Sequence, residues 1–210
     1  MARVVTSAQV SREKAQPVLV DPPRSRASKE RVSRCSTRGL IGSHACSVEN
    51  DCHFSPDRRH RYTLLHRINP LFGEKLIMWI GLNPSTADEQ KLDPTLTRIR
   101  GFSEREGFDG FLMTNIFGFR ATDPKEMLRT RDPNGPENDQ ALLAAAARCA
   151  MIVAAWGAHG IHQDRATAVT RLLSKHKLWC LGTTKDGFPR HPLYVKGDQP
   201  FERWQLDKDL

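Results

Sequence analysis

Two amides and one imidazole are the side chains of this 210-residue sequence best placed to do chemistry: Asn83, Asn115 and His191. Asn83 precedes a proline, which would fix its amide to position a water or a sugar oxygen, although the same dipeptide is common in turns. Asn115 lies in an apolar run, where a buried amide needs partners in the protein or on the Watson–Crick edge of a base. His191 lies in a Gly/Pro-rich loop, where a neutral imidazole could stabilise an oxyanion on a leaving base or could simply be solvated.

Charged side chains near these residues suggest two further roles. Asp88 and Asp93 are of a type found most often at the start of a helix, and either could instead place a carboxylate beside a cationic transition state. Arg120, Lys185 and Arg190 could hold phosphates or could be ordinary surface charges. Each of these side chains taken alone has such an ordinary structural explanation. Their placement in the fold therefore has to decide between a structural and a functional role.

Apolar runs alternate with helix-like segments along the second part of the chain, and the polar residues follow the runs. The predicted strands are 61–68, at an edge, and 75–82, 111–117, 151–157 and 178–182, in the buried centre. The predicted helices are 93–106, 138–150 and 165–175. This alternation indicates a parallel sheet covered on both faces, and such open sheets bind ligands beyond the carboxyl ends of their strands.

The polar residues fall where this rule would put a site. Ser85 and Thr86 follow the first buried strand, Arg120 follows the second, and Trp156 lies at the end of the third. The fourth strand leads into the loop that contains His191. We therefore expect an α/β protein, a three-layer α/β/α domain whose central, mostly parallel four-stranded sheet has an added edge strand, with its site at the strand ends.

The formal net charge of +8 is unevenly distributed along the chain. Residues 1–61 contain 12 basic and 6 acidic side chains, whereas residues 62–210 contain 20 and 18. We predict that residues 1–58 form a basic, Ser/Arg/Pro-rich and disordered extension, 59–204 the α/β/α domain, and 205–210 a tail. The extension is a solvated tail, or upstream residues from an early start codon, or a basic arm that grips phosphates.

Several classes of protein are excluded by what the sequence lacks. No apolar run approaches the roughly 18–20 residues of a membrane span, and the first fifteen residues lack the apolar segment of a secretory signal, so we expect a cytoplasmic protein. The five cysteines form no zinc knuckle, so we expect reduced thiols and no metal. The motifs of P-loop enzymes, dinucleotide-binding domains, α/β-hydrolases and zinc peptidases are absent.

Four segments in this order resemble a bacterial and phage family of uncharacterised domains with NPSTAD and PRHPLY signatures. The segments are GLNPSTAD at 81–88, NIF through RATDP at 115–124, AAWG at 154–157 and PRHPLY at 189–194. The resemblance covers residues 61–194. More distantly, the same order resembles the uracil-DNA glycosylase superfamily, whose first motif ends a core strand, whose strand-borne Asn reads the base, and whose late HPSP-type motif supplies a histidine.

This resemblance implies a monofunctional DNA N-glycosylase that flips a damaged or modified base, with no cofactor or metal and no obligate protein partner. Asn83 would position the hydrolytic water, Asn115 would read the base, and His191 would stabilise the departing base, with Asp88 or Asp93 balancing the oxocarbenium charge. The substrate-binding set it implies is Asn115, Ser85, Thr86, Phe102, Phe117, Arg120, Trp156, Lys185, Arg190, Leu193 and Tyr194. Within that set, Phe102 or Phe117 would stack on the base, and Leu193 or Tyr194 would wedge into the duplex.

The chain departs from the superfamily pattern at two places. Leu193 stands where the HPSP motif has serine, and residues 86–88 and the loop 122–136 suggest a different or bulkier base than uracil, a modified viral base among them. We expect a monomer that binds DNA and not membranes. Two rival interpretations stay open: a hydrolase or transferase acting on free nucleotides or nucleosides, and a non-catalytic nucleic-acid-binding module.

Overall fold

The computed structural model describes residues 51–69, 75–85 and 92–206. The strands are β1 (Asp51–Phe54), β2 (Arg61–Arg67), β3 (Leu76–Gly81), β4 (Gly110–Asn115), β5 (Met151–Ala154), β6 (Leu178–Cys180) and β7 (Glu202–Trp204). The helices are α1 (Pro94–Arg105), α2 (Pro124–Arg129), α3 (Asn138–Arg148) and α4 (Arg165–Leu172), with 3-10 segments at Ala158–Asp164 and Pro192–Tyr194.

The described strands form one mixed sheet of seven, in the order β1-β2-β4-β3-β5-β6-β7. β3 pairs in parallel with β4 and β5, and β5 pairs in parallel with β6. The pairs β1–β2, β2–β4 and β6–β7 are antiparallel. The α/β class expected from the sequence is therefore confirmed, within a larger and mixed sheet.

The expectation of four central strands and one edge strand is wrong at both ends of the sheet. β1 covers the outer side of β2, so β2 is not an edge, and β7 lies beyond β6. Both added strands are short, four and three residues, and their sequences DCHF and ERW lack an apolar run. β1 also lies before residue 59, so the sheet begins earlier in the chain than the predicted domain boundary.

An apolar cluster lies on each face of the sheet because side chains alternate along the central strand β3. Ile77 and Trp79 pack with residues of α1, while Met78 and Ile80 pack with residues of α3 and α4. All six residues of β3 are buried. With both faces filled by apolar contacts, the carboxyl ends of the strands are the open end of the sheet.

α1 begins where its sequence predicts. The Asp93 side chain accepts a hydrogen bond from the Leu96 backbone N–H at 2.7 Å, and Pro94 occupies the first helical position, where no backbone N–H is needed. Among the described residues, no helix is long and apolar enough to span a bilayer.

Candidate functional site

A cavity of about 640 Å³ opens at the carboxyl ends of β3, β4 and β5. Its floor includes the last residues of β3 and β4, Gly81 and Asn115, which are paired in register. The polar and aromatic residues that line it are Arg61, Asn83, Ser85, Asp93, Thr95, Asn115, Thr122, Trp156, His159, Thr184, Arg190, His191 and Tyr194. Eight of the residues singled out from the sequence as catalytic or binding therefore lie in one cavity.

Asn83 has a fixed amide orientation. Its Nδ2 group donates to the carbonyl oxygens of Ala121 at 2.8 Å and Pro84 at 3.2 Å. The Ala121 backbone N–H in turn donates to the Pro84 carbonyl at 2.9 Å, which ties the loop after β3 to the segment after β4. With both amide hydrogens directed at the backbone, Oδ1 is the atom that Asn83 can offer to a ligand, and it can only accept.

Asn115 is a buried amide whose oxygen has no partner. The residue is 1% exposed, and its Oδ1 has no hydrogen-bond partner within the described part of the chain. Gly81 opposite leaves room for that oxygen, because a Cβ at this position would lie 2.7 Å from Oδ1. Leaving a buried polar group unpaired costs about 1–3 kcal/mol, which a ligand N–H could recover.

His191 is held as a neutral hydrogen-bond donor. Its Nδ1 accepts from the Leu193 backbone N–H at 3.4 Å, so the proton of the neutral ring is on Nε2. Burial lowers the pKa of His191 below its usual value, and the carboxylate of Asp93 opposes this only in part. At neutral pH the ring therefore offers an Nε2–H without a positive charge.

Asp93 brings a carboxylate to the cavity while it caps α1. Its second oxygen accepts a 2.6 Å hydrogen bond from the Ser85 hydroxyl. Thr86 and Asp88 lie outside the described residues, so Asp93 is the described one of the two candidate carboxylates.

Arg61 is a site residue that the sequence reasoning missed. It is 2% exposed and lines the cavity from the start of β2. Burial lowers the pKa of Arg61, and the nearby Asp93 carboxylate acts in the opposite direction. In the sequence, Arg61 begins an apparent edge strand, where a basic residue is expected to be a surface charge. Its burial becomes evident only once β1 is seen to cover the outer side of β2.

Residues 61–193 match a family described as "protein of unknown function (DUF1643)". The chain belongs to this family. No curated protein and no solved structure matches the chain. Every residue that lines the cavity lies within the DUF1643 match except Tyr194, which is one residue beyond it.

The end of β5 in the DUF1643 domain contributes Trp156 and Gly157 to the cavity. The Trp156 indole is 1% exposed and packs edge-on against Trp204, with ring centroids 5.1 Å apart. Gly157 has φ +71° and ψ −171°, which only glycine adopts readily, and its N–H donates to the Pro189 carbonyl at 2.9 Å. This bond attaches the loop that contains His191 to the end of β5.

The rim of the cavity is apolar and basic. Tyr194 is 80% exposed and Leu193 is 41% exposed, side by side in the segment Pro192–Tyr194, although only Tyr194 lines the cavity. Arg190 lines the cavity and donates through Nε to the Thr183 carbonyl at 2.8 Å. Lys185 is exposed and does not line the cavity.

Three further predicted substrate-binding residues do not line the cavity. Phe102 packs in the core against Trp79, and Phe117 is fully buried on the opposite face of the sheet. Arg120 lies over the ring of Phe54, with 5.0 Å between the guanidinium carbon and the ring centroid. The aromatic residues that reach the cavity are Trp156 and Tyr194 instead.

Metal-ligating side chains are not grouped in this region. In residues 51–69, 75–85 and 92–206, no set of three or more His, Cys, Asp or Glu side chains could hold a metal ion.

Proposed function

We propose that this protein is a monofunctional DNA N-glycosylase that hydrolyses the N-glycosidic bond of a damaged or modified base and leaves an abasic site. The observation that carries the proposal is the joint placement of three groups in one strand-end cavity: the acceptor oxygen of Asn83, the partnerless amide oxygen of Asn115 and the neutral donor of His191. Bases with viral hypermodifications are included in the substrate class.

The fold proposed for this activity is the three-layer arrangement of the uracil-DNA glycosylase superfamily. The parallel pairings of β4, β3, β5 and β6 and the apolar cluster on each face support it. The position of the cavity supports it too, because open α/β sheets bind ligands at the carboxyl ends of their strands.

Hydrolysis requires a water held against C1′ of the sugar. Asn83 Oδ1 accepts a hydrogen bond from that water, since its amide hydrogens are held by backbone carbonyls. The water oxygen forms a bond to C1′ and releases one proton to solvent as the bond from C1′ to the base nitrogen breaks, and the base leaves with the electron pair. The carboxylate of Asp93, or that of Asp88, offsets the positive charge that develops on the sugar.

The departing base needs a donor for its negative charge and a partner that recognises its edge. The Nε2–H of His191 stabilises the developing oxyanion, and a neutral imidazole does so without transferring its proton. The Asn115 amide accepts from a base N–H. A solvent proton then neutralises the released base.

Flipping the nucleotide into the cavity leaves a gap in the duplex. Leu193 and Tyr194 are the exposed apolar side chains beside the cavity that could fill it. Arg190 and Lys185 would contact the flanking phosphates. The enzyme acts as a monomer without a cofactor in this proposal.

The test is incubation of the full-length protein with DNA from several sources, including phages with modified bases, followed by an abasic-site probe and mass spectrometry of released bases. Asn83→Ala and His191→Ala should each lower the single-turnover rate about 10²–10³-fold. His176→Ala, which changes an exposed histidine outside the cavity, should not. Folded protein that releases no base from any of these DNAs would refute the glycosylase proposal.

Arg61 favours a second candidate, a hydrolase or transferase that acts on free nucleotides. A buried guanidinium in the cavity suits the terminal phosphate of a mononucleotide. Incubation with nucleoside monophosphates separates the two candidates. Base release from a mononucleotide, without measurable DNA binding, would replace the DNA proposal.

A further inference from the structure

Three guanidinium groups lie together on two aromatic rings next to the cavity. The guanidinium carbon of Arg58 is 4.0 Å from the centroid of the Phe54 ring, and that of Arg120 is 5.0 Å from the same ring. Arg59 lies over the ring of Phe119 at 5.7 Å. We call Arg58, Arg59 and Arg120 the arginine cluster.

Hydrogen bonds to backbone carbonyls hold the cluster together across two segments that are far apart in the sequence. The Arg120 N–H donates to the Arg59 carbonyl at 2.9 Å, and the Arg120 Nη1 group donates to the Arg58 carbonyl at 3.2 Å. Arg58 has φ +55° in the turn between β1 and β2, and its N–H donates to the Ser55 carbonyl at 2.8 Å. Stacked and tethered guanidinium groups lose less side-chain entropy when they bind an anion.

The cluster adjoins the cavity on both of its segments. Arg61, two residues after Arg59, lines the cavity, and so does Ala121, the residue after Arg120. Ala121 is also the residue whose carbonyl fixes the Asn83 amide. The positive charge therefore extends from the exposed turn to the wall of the cavity.

Nearby carboxylates only partly cancel this charge. Asp57 accepts from the Ser55 hydroxyl at 2.6 Å and from the Arg59 backbone N–H at 3.1 Å. Asp57 and Asp132 both line a shallow groove that also contains Arg59. Arg131, in that groove as well, adds a further positive charge. A basic surface with planar donors suits phosphodiester groups.

We propose that the arginine cluster binds the phosphodiester backbone of a DNA strand and directs one of its nucleotides into the adjoining cavity. The choice of DNA as the polymer rests on the proposed function. The surface itself rests on the contacts of Arg58, Arg59 and Arg120 and on their position beside Arg61 and Ala121.

The test compares two double variants that remove the same charge. Arg58→Gln/Arg59→Gln changes two exposed members of the cluster, and Arg148→Gln/Arg171→Gln changes two exposed arginines on α3 and α4. Affinity for a fluorescent single strand and for its duplex is measured by anisotropy over a range of KCl concentrations. Unlabelled DNA and poly-glutamate serve as competitors, and thermal unfolding reports whether each variant is folded.

The expected result follows from counterion release. Loss of two phosphate contacts should reduce the slope of log K against log salt by about 1.8 for duplex or about 1.4 for single strands. At 0.1 M salt the affinity for duplex should fall up to about 60-fold, since each contact releases roughly 0.9 of a counterion. The helix variant should keep most of both quantities.

Three outcomes would overturn the arginine cluster as a DNA-binding surface. They are equal slopes for the two double variants, competition by poly-glutamate as strong as that by DNA, and a wild-type protein that binds no DNA. Arg59→Gln alone, at a side chain that makes no hydrogen bond to another described residue, repeats the test if the double variant does not fold. A slope that depends on Arg58 and Arg59 in a protein that releases no base would support the surface and refute the glycosylase.

Discussion

Replacement of Asn115 by leucine should stabilise the protein and sharply lower its activity at the same time. Asn115 is 1% exposed, and its Oδ1 has no hydrogen-bond partner in the described residues. No described protein group therefore compensates the desolvation of this oxygen in the folded protein. A leucine of comparable length removes the polar group and still faces an open cavity, so it needs no repacking of the core.

The expected change in stability follows from the cost of an unpaired buried polar group. An unpaired buried polar group costs about 1–3 kcal/mol, and we expect Asn115→Leu to recover about 1 kcal/mol of it. For a domain of this size, 1 kcal/mol corresponds to a rise in Tm of about 2–4 °C. Base excision should fall by about 10²-fold or more, because the base would lose the amide that recognises its edge.

Asn138 is a matched control because it is another fully buried amide whose Oδ1 has no partner among the described residues. It differs in that its Nδ2 donates to the carbonyls of Asn115 at 3.1 Å and Ile116 at 3.0 Å. Asn138→Leu removes both bonds and should lower the free energy of unfolding by about 2 kcal/mol. The two variants should therefore move Tm in opposite directions.

Thermal unfolding and single-turnover excision of the same preparations test this reasoning. A Tm for Asn115→Leu that falls as far as that of Asn138→Leu would show that Asn115 is bonded within the protein. A stabilised Asn115→Leu that excises normally would refute its role in recognising the base.

Three further predictions concern pH, the rim of the cavity and the extension. Because burial lowers the pKa of His191, the unfolded chain binds its proton at a higher pH than the folded one, so stability should hold above about pH 6.5 and fall below it. Excision depends on the neutral ring of the folded protein, so its rate should hold through about pH 6.5 and fall only as the pH approaches the lower pKa of the folded His191. His191→Gln should remove this acid-side fall from the pH–rate profile, and a rate that rises on acidification would contradict the neutral-donor role. The double variant Leu193→Ala/Tyr194→Ala should lower the rate of excision from duplex DNA more than that from single strands. Its Tm should be nearly unchanged because both side chains are exposed. Equal losses of rate on the two substrates would exclude a role of these side chains as a wedge in the duplex. Deletion of residues 1–50 should weaken the affinity for DNA and reduce its dependence on salt, while base excision continues. Deletion of residues 1–58 also removes β1 and should therefore lower Tm. If the affinity is unchanged after deletion of residues 1–50, the extension takes no part in binding.

The sequence predicted the centre of the sheet because burial on both faces leaves an unmistakable pattern. β3 is a run of apolar residues ended by Asn83 and Pro84, and the runs of β4 and β5 are similar. β1 and β7 gave no such pattern, since their pairing depends on partners distant in the chain rather than on their own composition. The two outer strands are therefore a product of tertiary structure.

The sequence predicted those site residues whose place in the cavity follows from their position at the end of a strand. Asn83, Asn115 and Trp156 come at the ends of three neighbouring strands, so the rule for open sheets placed them together. Phe102 and Phe117 could not be placed in this way. An aromatic residue beside a site faces the core or the cavity according to its rotation about the chain, which composition does not reveal.

The basic character of the chain has a different meaning once the first strands are known. Counted along the sequence, most of the excess charge belongs to residues 1–61, which suggests that affinity for nucleic acid lies in the extension. Arg58, Arg59 and Arg61 belong to that count, yet they lie at the turn between β1 and β2 and in the wall of the cavity. If the extension and the arginine cluster contact separate phosphates, the reductions in salt slope caused by deleting residues 1–50 and by Arg58→Gln/Arg59→Gln should add. If the combined variant loses no more slope than either change alone, both act on the same phosphates, and the extension serves the cavity rather than a distant stretch of DNA.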